Sequence, residues 1–177
     1  MRNVIYGGAV SLDFYLAGPG EAIDWLRWSD DAAAISAASF KGVDAMVMGR
    51  KTFEFGQKMG GGPKLSGVTS YVFSGTLAAL PEGADGVLVR EDALDFVRRL
   101  KGEPGGNIIV MGGGEIGSAL VTAGLVDEIG FSIHPVLLGG GIPAFRPFGR
   151  RTELELLEAR PIARECVLVR YLVRNGA

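Results

Sequence analysis

The chain has 177 residues, 47% of them apolar and 21% charged, with a net charge of −2. That length fits one domain, residues 1–177, with a core that needs no disulfide staples, and the near-neutral balance excludes a broad basic field for nucleic acid or a membrane surface. The single cysteine, Cys166, excludes an internal disulfide and fits a reducing compartment.

The opening stretch, MRNVIYGGAVSLDFYLAG, has one positive charge and then an alternating run, without the apolar core of a signal peptide. The longest apolar stretches fall short of the ~20 residues a membrane helix needs. The sequence therefore reads as a soluble, cytoplasmic protein. Residues 3–11 predict a first strand. Gly18-Pro19-Gly20 and two tryptophans, Trp25 and Trp28, interrupt the pattern. Ser29-Asp30-Asp31 then caps a helix over AAAISAASF, because a short polar side chain accepts the free backbone N–H bonds of a first turn.

Residues 44–48 predict a second strand, turned by Gly49 into a short helix, RKTFEFGQ. MGGGPKLSG reads as a flexible loop, TSYVFS as a third strand and GVLVRE as a fourth. Asp92 caps a helix that ends at Lys101-Gly102, with Asp95 in the first turn and Arg and Lys in the last, all in accord with the helix dipole. NIIVM predicts a fifth strand, GEIGSALVTAG a helix and VDEIGFSIHPVLL a sixth strand, with 139–141 an exposed glycine turn. TELELLEA and ECVLVRYLV, joined by RPIAR, predict an antiparallel hairpin. Strands alternating with helices predict an α/β fold of three layers, α/β/α, with a mixed, mostly parallel sheet carrying that hairpin at its edge.

The glycines at 112–114 stand between a strand and a helix. In open α/β sheets ligands bind outside the carboxyl ends of the strands. A helix N-terminus there offers unpaired N–H groups and partial positive charge, and glycine lets a phosphate come close. Residues 112–117 fit G-x-G-x-x-G, but they follow the fifth strand and lack an acid about 20 residues on, which excludes a simple dinucleotide fold of the Rossmann type. At 49–52 the same strand–glycine–helix pattern carries Arg50, Lys51 and Thr52. Cations at a helix start oppose the dipole unless an anion binds. Arg50 can grip phosphate bidentately, Lys51 adds a charge and Thr52 a hydroxyl. Two anion sites on one sheet edge point to two ends of one polyphosphate ligand, and Ser74-Gly75 offers a third loop there.

VMGRKTFE resembles the cofactor-binding turn of the dihydrofolate reductase superfamily. VMGGGEIGSALV resembles its glycine-rich turn, and VSLDFYLAG its first strand and following loop. GLVDEIGFSIHPVLLGGGIPAF is more similar to one branch, the reductase domain of riboflavin biosynthesis and its stand-alone relatives. The resemblance spans nearly the whole chain in order. It implies an NADPH-dependent reductase of a small heterocycle, a 5-amino-6-(5-phosphoribosylamino)uracil-like pyrimidine or a pterin. Arg50, Lys51 and Thr52 would then hold the adenosine 2′-phosphate and a neighbouring phosphate. Ser74 and Gly75 would flank the adenosine half. Gly49 would let the backbone approach, and Gly112, Gly113, Gly114, Glu115, Ile116 and Gly117 would cradle the pyrophosphate. Leu16 and Ala17 would border the nicotinamide. Phe14 stands where that branch usually has glycine, and reshapes the substrate mouth.

For the proton that accompanies hydride transfer the candidates are Asp31, Asp30 and Asp13, the first two competing with a capping role. Trp25, beside Trp28, and Phe53 are the aromatic candidates against the substrate, with core packing as the alternative. Lys64, Arg146, Arg150 and Arg151 are possible partners of a substrate phosphate. One histidine, His134, and one cysteine cannot make a zinc site, so no deaminase half is present. An orphan reductase with another substrate, a non-catalytic nucleotide-binding domain, a folate reductase proper and a methyltransferase-like protein are the competing readings. The long alternating strands at the end of the chain leave apolar edges that need cover, which predicts a homodimer.

Overall fold

The computed structural model describes residues 1–60, 66–147 and 149–174. Lys64 and two glycines of the 60–62 run lie outside the described residues. Eight strands form one sheet: β1 (Val4–Ser11), β3 (Val43–Gly49), β4 (Thr69–Phe73), β5 (Val87–Val89), β6 (Asn107–Met111), β7 (Glu128–His134), β9 (Glu153–Ile162) and β10 (Cys166–Arg174). Two short strands, β2 (Tyr15–Ala17) and β8 (Ile142–Pro143), pair separately. The sheet order is β5-β4-β3-β6-β1-β7-β10-β9. The first six strands in that order run parallel, and β10 and β9 add antiparallel to β7 and to each other.

Among the described residues, four α-helices cover the two faces: α1 (Asp30–Ser39), α2 (Arg50–Lys58), α3 (Ala93–Gly102) and α4 (Gly114–Thr122). The α3 and α4 side holds the main core, where Phe96, Val97, Leu100, Leu120 and Val121 pack on Tyr6, Val47, Val110 and Phe131. On the other side Phe53 of α2 packs with Met48 and Val72, and Ile35 of α1 rests on Ile162, Cys166 and Leu168. Central strands buried on both faces explain the near-continuous apolar runs of NIIVM and AMVM. Each buried valine or isoleucine there contributes about 1.5–3 kcal/mol of hydrophobic free energy. At the amino edge of the sheet, Arg2 is buried, pairs with Asp44 and donates to the Gly106 carbonyl at 2.7 Å, while Lys101 pairs with Asp127.

Three details depart from the sequence reading. The cap of α1 is Ser29, whose Oγ accepts from the Ala32 N–H at 3.1 Å, so Asp30 and Asp31 are the first helical residues. The RPIAR joint is mostly strand: β9 continues through Arg160, Pro161 and Ile162, and only residues 163–165 turn. Proline is tolerated because β9 is the outer strand and its missing N–H costs no ladder bond. The 139–141 run is more than an exposed turn, since a Cβ on Gly141 would sit 2.8 Å from the Gly18 Cα.

Candidate functional site

Parallel strands place all their carboxyl ends on one edge. Gly49 pairs with Phe73 and Met48 with Met111, so β3, β4 and β6 end level with one another. Strand β1 does not stop there: Tyr6 pairs with Val110, and residues 8–11 run on with β7 as far as His134. That overhang is about 13 Å at ~3.3 Å per residue. The glycine turn after β6 therefore lies at the foot of a step whose wall is β1.

Both helices that begin at the centre of this edge lack a side-chain cap. The N-cap of α2 is Gly49 and that of α4 is Gly113, and neither supplies a hydrogen bond, whereas Ser29 and Asp92 cap α1 and α3. First-turn N–H groups of α2 and α4 are thus left for another acceptor. The two turns touch. A Cβ on Gly112 would lie 2.5 Å from Thr52 Cγ2, inside any permitted contact, and the residue has φ +65°. Glycine at 112 is what allows the Arg50-Lys51-Thr52 corner and the glycine corner to join.

The other glycines of the motif answer to different neighbours. A Cβ on Gly114 would fall against the Pro143 carbonyl and 3.1 Å from the Ala144 oxygen, and one on Gly117 would lie 2.6 Å from the Tyr6 ring. Tyr6 is itself fully buried and donates its hydroxyl to the Ala144 carbonyl. Close packing thus accounts for Gly112, Gly114 and Gly117 without any ligand. Gly113, with φ +34° and no atom nearer than 3.8 Å to its Cβ position, and Gly49 and Gly75, with none within 4 Å, have no such packing reason.

The remaining nucleotide-side residues extend from this corner. Arg50 Nη1 donates to both carboxylate oxygens of Glu54, at 2.9 and 2.8 Å, so the guanidinium is already aligned by an i,i+4 partner. Lys51 is exposed. Ser74 Oγ accepts from the N–H groups of Thr76 and Leu77, at 3.2 and 3.0 Å, which shapes the loop after β4. Leu16 and Ala17 lie on β2, joined by the β8 pairing to Pro143 and hence to the start of α4. Ile116 packs on the main core, and Glu115 points outward to Arg146 at 3.5 Å.

The proposed acids separate. Asp13 accepts from Ser11 Oγ at 2.6 Å, from Gly139 N at 2.8 Å and from Leu138 N at 3.1 Å. The Ser11 bond above all, with those backbone bonds, outweighs partial desolvation and lowers its pKa, so it is an ionised loop tie and a poor proton donor. Asp31 Oδ2 accepts from the Ala163 N–H at 3.0 Å, tying α1 to the β9–β10 turn. Asp30 and Asp31 line an open cleft of about 650 Å³ together with Trp28, Ser29 and Arg164. Among the aromatics, Trp25 packs edge-on against His134, with ring centres 5.3 Å apart. Phe53 is 5% exposed and fills the core between Met48 and Val72, so its role is packing rather than substrate contact. Phe14 takes φ +60° and lays its ring 6.0 Å from Phe131. Arg150 donates to the Thr122 carbonyl at 2.9 Å and Arg151 pairs with Glu153 at 2.5 Å, so both have protein partners.

Two contributors escape sequence reading. His134 is buried, and its Nδ1 accepts the Arg27 N–H at 3.2 Å; the same Arg27 pairs with Glu165 at 2.7 Å. Together they pin the 18–28 loop to the end of β7 and to the β9–β10 turn. Burial, and then the Arg27 charge, lower the His134 pKa, so the ring is neutral. Partners more than 100 positions apart leave no sequence signal.

Two uncapped helix starts thus meet at the carboxyl edge of a mixed sheet. The chain belongs to the RibD C-terminal domain family, whose model matches residues 2–168. It is 32% identical to the uncharacterized protein YwjB of Bacillus subtilis (strain 168), over 88% of this chain and 89% of that one. Its fold is shared by a putative riboflavin biosynthesis protein from Shewanella sp. PV-4, with TM-score 0.86 and 23% identity over 98% of this chain and 99% of that one. It is shared as well by dihydrofolate reductase from Enterococcus faecalis, solved with NADP(H) and RAB-propyl, with TM-score 0.69 and 18% identity over 97% and 96% of the two chains. No helix among the described residues is long and apolar enough to cross a membrane.

Proposed function

We propose that this protein is an NADPH-dependent reductase of a small flat heterocycle, with a ribosylaminopyrimidine of the riboflavin route as the preferred substrate class. The observation that carries the reading is the junction of Gly112 with Thr52, which merges two uncapped helix N-termini into one anion-binding corner at the sheet edge. Family membership and the fold shared with a NADP(H)-bound reductase support the choice of coenzyme.

NADPH, when bound, supplies the hydride; the protein supplies orientation and water exclusion. Arg50 and Thr52 would hold the 2′-phosphate end, with Glu54 keeping the guanidinium in place. The first-turn N–H groups at Gly113 and α4 would receive the pyrophosphate. Leu16 and Ala17, on the strand paired with β8, would border the nicotinamide side. The substrate would occupy the open cleft lined by Trp28, Asp30 and Asp31, where Asp31 or Asp30 would provide the proton path, while Asp13 holds the loop.

The test is NADPH oxidation with the aminopyrimidine and with a pterin as the comparison substrate. Turnover of the pyrimidine is expected. Tight NADPH binding without oxidation by either substrate would contradict the reading and leave a non-catalytic nucleotide-binding domain.

A further inference from the structure

The cleft beside the start of α1 carries a different charge from the corner at α2 and α4. Its volume is about 650 Å³, and the charged residues that line it are Asp30, Asp31 and Arg164, two carboxylates against one guanidinium. Both acids are exposed. Asp31 commits one oxygen to the Ala163 N–H, and Asp30 makes no side-chain bond among the described residues. Three carboxylate oxygens are therefore left to accept. The Arg164 guanidinium is also without a partner among the described residues, while its carbonyl accepts from Arg27 Nη1 at 3.4 Å. The turn that carries Arg164 is tied on either side, by the Asp31 bond and by the Arg27–Glu165 pair at 2.7 Å. Trp28, 68% exposed, adds a flat ring to the lining.

This lining is poorly matched to a phosphate. The start of α1 is closed to an anion, because Ser29 caps it and Asp30 and Asp31 already meet the partial positive charge of its first turn. The start of α2, by contrast, has neither a cap nor an acid. The arginines that could have served a substrate phosphate are engaged elsewhere. Arg146 pairs with Glu115 of α4, Arg150 donates to the Thr122 carbonyl at the end of α4, and Arg151 pairs with Glu153 of β9. Helix α4 lies on the opposite face of the sheet from α1. Arg27 is spent on Glu165. An amino-substituted pyrimidinedione, however, fits the groups that remain. Its N–H groups suit the carboxylate oxygens, its ring carbonyls suit the Arg164 guanidinium, and its ring suits the face of Trp28. The heterocycle thus uses the one cation of the lining, and a phosphate attached to it would stand among carboxylates unpaired.

We propose that this cleft takes the aminopyrimidine without a phosphate, as the free base or the ribosylamino nucleoside, with Arg164 on the ring carbonyls and Asp30 turning the phosphorylated form away. The inference rests on the placement of the substrate in this cleft under the reductase reading. Discrimination by an unfavourable group is as effective as discrimination by a favourable one. Asp30 suits that role because its carboxylate holds nothing in the protein, so its charge is fully available to the ligand. Asp31 is partly neutralised by its bond to Ala163. The division of labour across the molecule is then consistent: the phosphates belong to the coenzyme, at the uncapped starts of α2 and α4, and the substrate side carries the acids.

Titration calorimetry on the protein loaded with NADP+, which cannot reduce the ligand, should compare 5-amino-6-(ribosylamino)uracil with its 5′-phosphate. The unphosphorylated compound should bind about ten-fold more tightly or better. Asp30→Asn, an exposed change that breaks no bond of the fold, should reduce this preference by about three-fold or more, by strengthening the phosphorylated ligand. Arg164→Gln should weaken both ligands by the same factor, about ten-fold. Equal or tighter binding of the phosphate overturns the proposal, as does a preference that Asp30→Asn leaves unchanged. So does an Arg164→Gln loss confined to the phosphorylated ligand, which would make Arg164 a phosphate holder. Failure of both ligands to bind the wild type overturns the proposal together with the placement of the substrate. The predicted preference without any NADPH oxidation would remove the reductase reading and leave the assignment of the cleft standing.

Discussion

The guanidinium of Arg50 is held by both carboxylate oxygens of Glu54, four residues further along α2, at 2.9 and 2.8 Å. This pairing places a cation at a helix N-terminus, against the dipole, and fixes its direction. It is a costly arrangement for a bare protein and a suitable one for a group awaiting a phosphate. A charge-assisted contact with a 2′-phosphate contributes about 1.5–3 kcal/mol. Arg50→Ala should therefore weaken NADPH binding by about 10- to 100-fold while leaving NADH binding nearly unchanged. Titration calorimetry with both coenzymes reads the difference, and equal losses would remove the 2′-phosphate assignment.

The glycines divide into those the fold needs and those it does not. Gly112→Ala would take a left-handed φ and drive a methyl into Thr52. Left-handed strain of about 1–2 kcal/mol and overpacking of about 1–3 kcal/mol should lower Tm by about 5–15 °C at this chain length. Gly49→Ala has open space around the new methyl and an ordinary φ of −79°. It should leave Tm unchanged and weaken NADPH binding, since the methyl would occupy the coenzyme's approach to α2. Differential scanning calorimetry with and without coenzyme separates the two effects.

Asp31 combines a structural bond with a place in the open cleft. Asn at 31 can still accept the Ala163 N–H through its side-chain carbonyl, so Asp31→Asn should keep the stability within about 0.5 kcal/mol of the wild type. As a proton source it should be missed, with kcat down by about 10²–10⁴. If Asp30→Asn shows that loss and Asp31→Asn does not, the proton path belongs to the neighbouring acid.

His134 makes stability depend on pH in a defined direction. Its folded-state pKa lies below the usual 6.5, chiefly through burial. The unfolded chain therefore takes up a proton first as pH falls. The stability that the neutral ring provides is complete above pH 6.5 and declines as pH falls toward the folded-state value. The Arg27 N–H bond to Nδ1 is lost when that nitrogen is protonated. Thermal melts of His134→Gln should be flatter than those of the wild type just below pH 6.5, and identical slopes would exclude this role.

Much of this architecture is written locally. Apolar runs such as NIIVM announce central strands, and Asp92 caps its helix as its position implies. What escapes has a physical reason. Strands β2 and β8 have three and two residues, too few to show a period. The passage of β9 through Pro161 depends on its being the outer strand, which is a property of the finished sheet. At the site, the chemistry of Arg50 and Thr52 is readable because residue type and helix start coincide. The contact of Gly112 with Thr52 spans 60 positions and follows only from the rule that parallel strands end on one edge. The bond from Arg27 to His134 has no such rule, and Phe53 looks like a site residue until its inward direction is seen.

A crystal structure of the protein with NADPH tests the central claim most directly. The account predicts the 2′-phosphate within hydrogen-bond distance of Arg50 and Thr52, and the pyrophosphate against the N–H groups at Gly113 and the first turn of α4. Coenzyme bound away from the Gly112–Thr52 junction, or no coenzyme at saturating concentration, would contradict it.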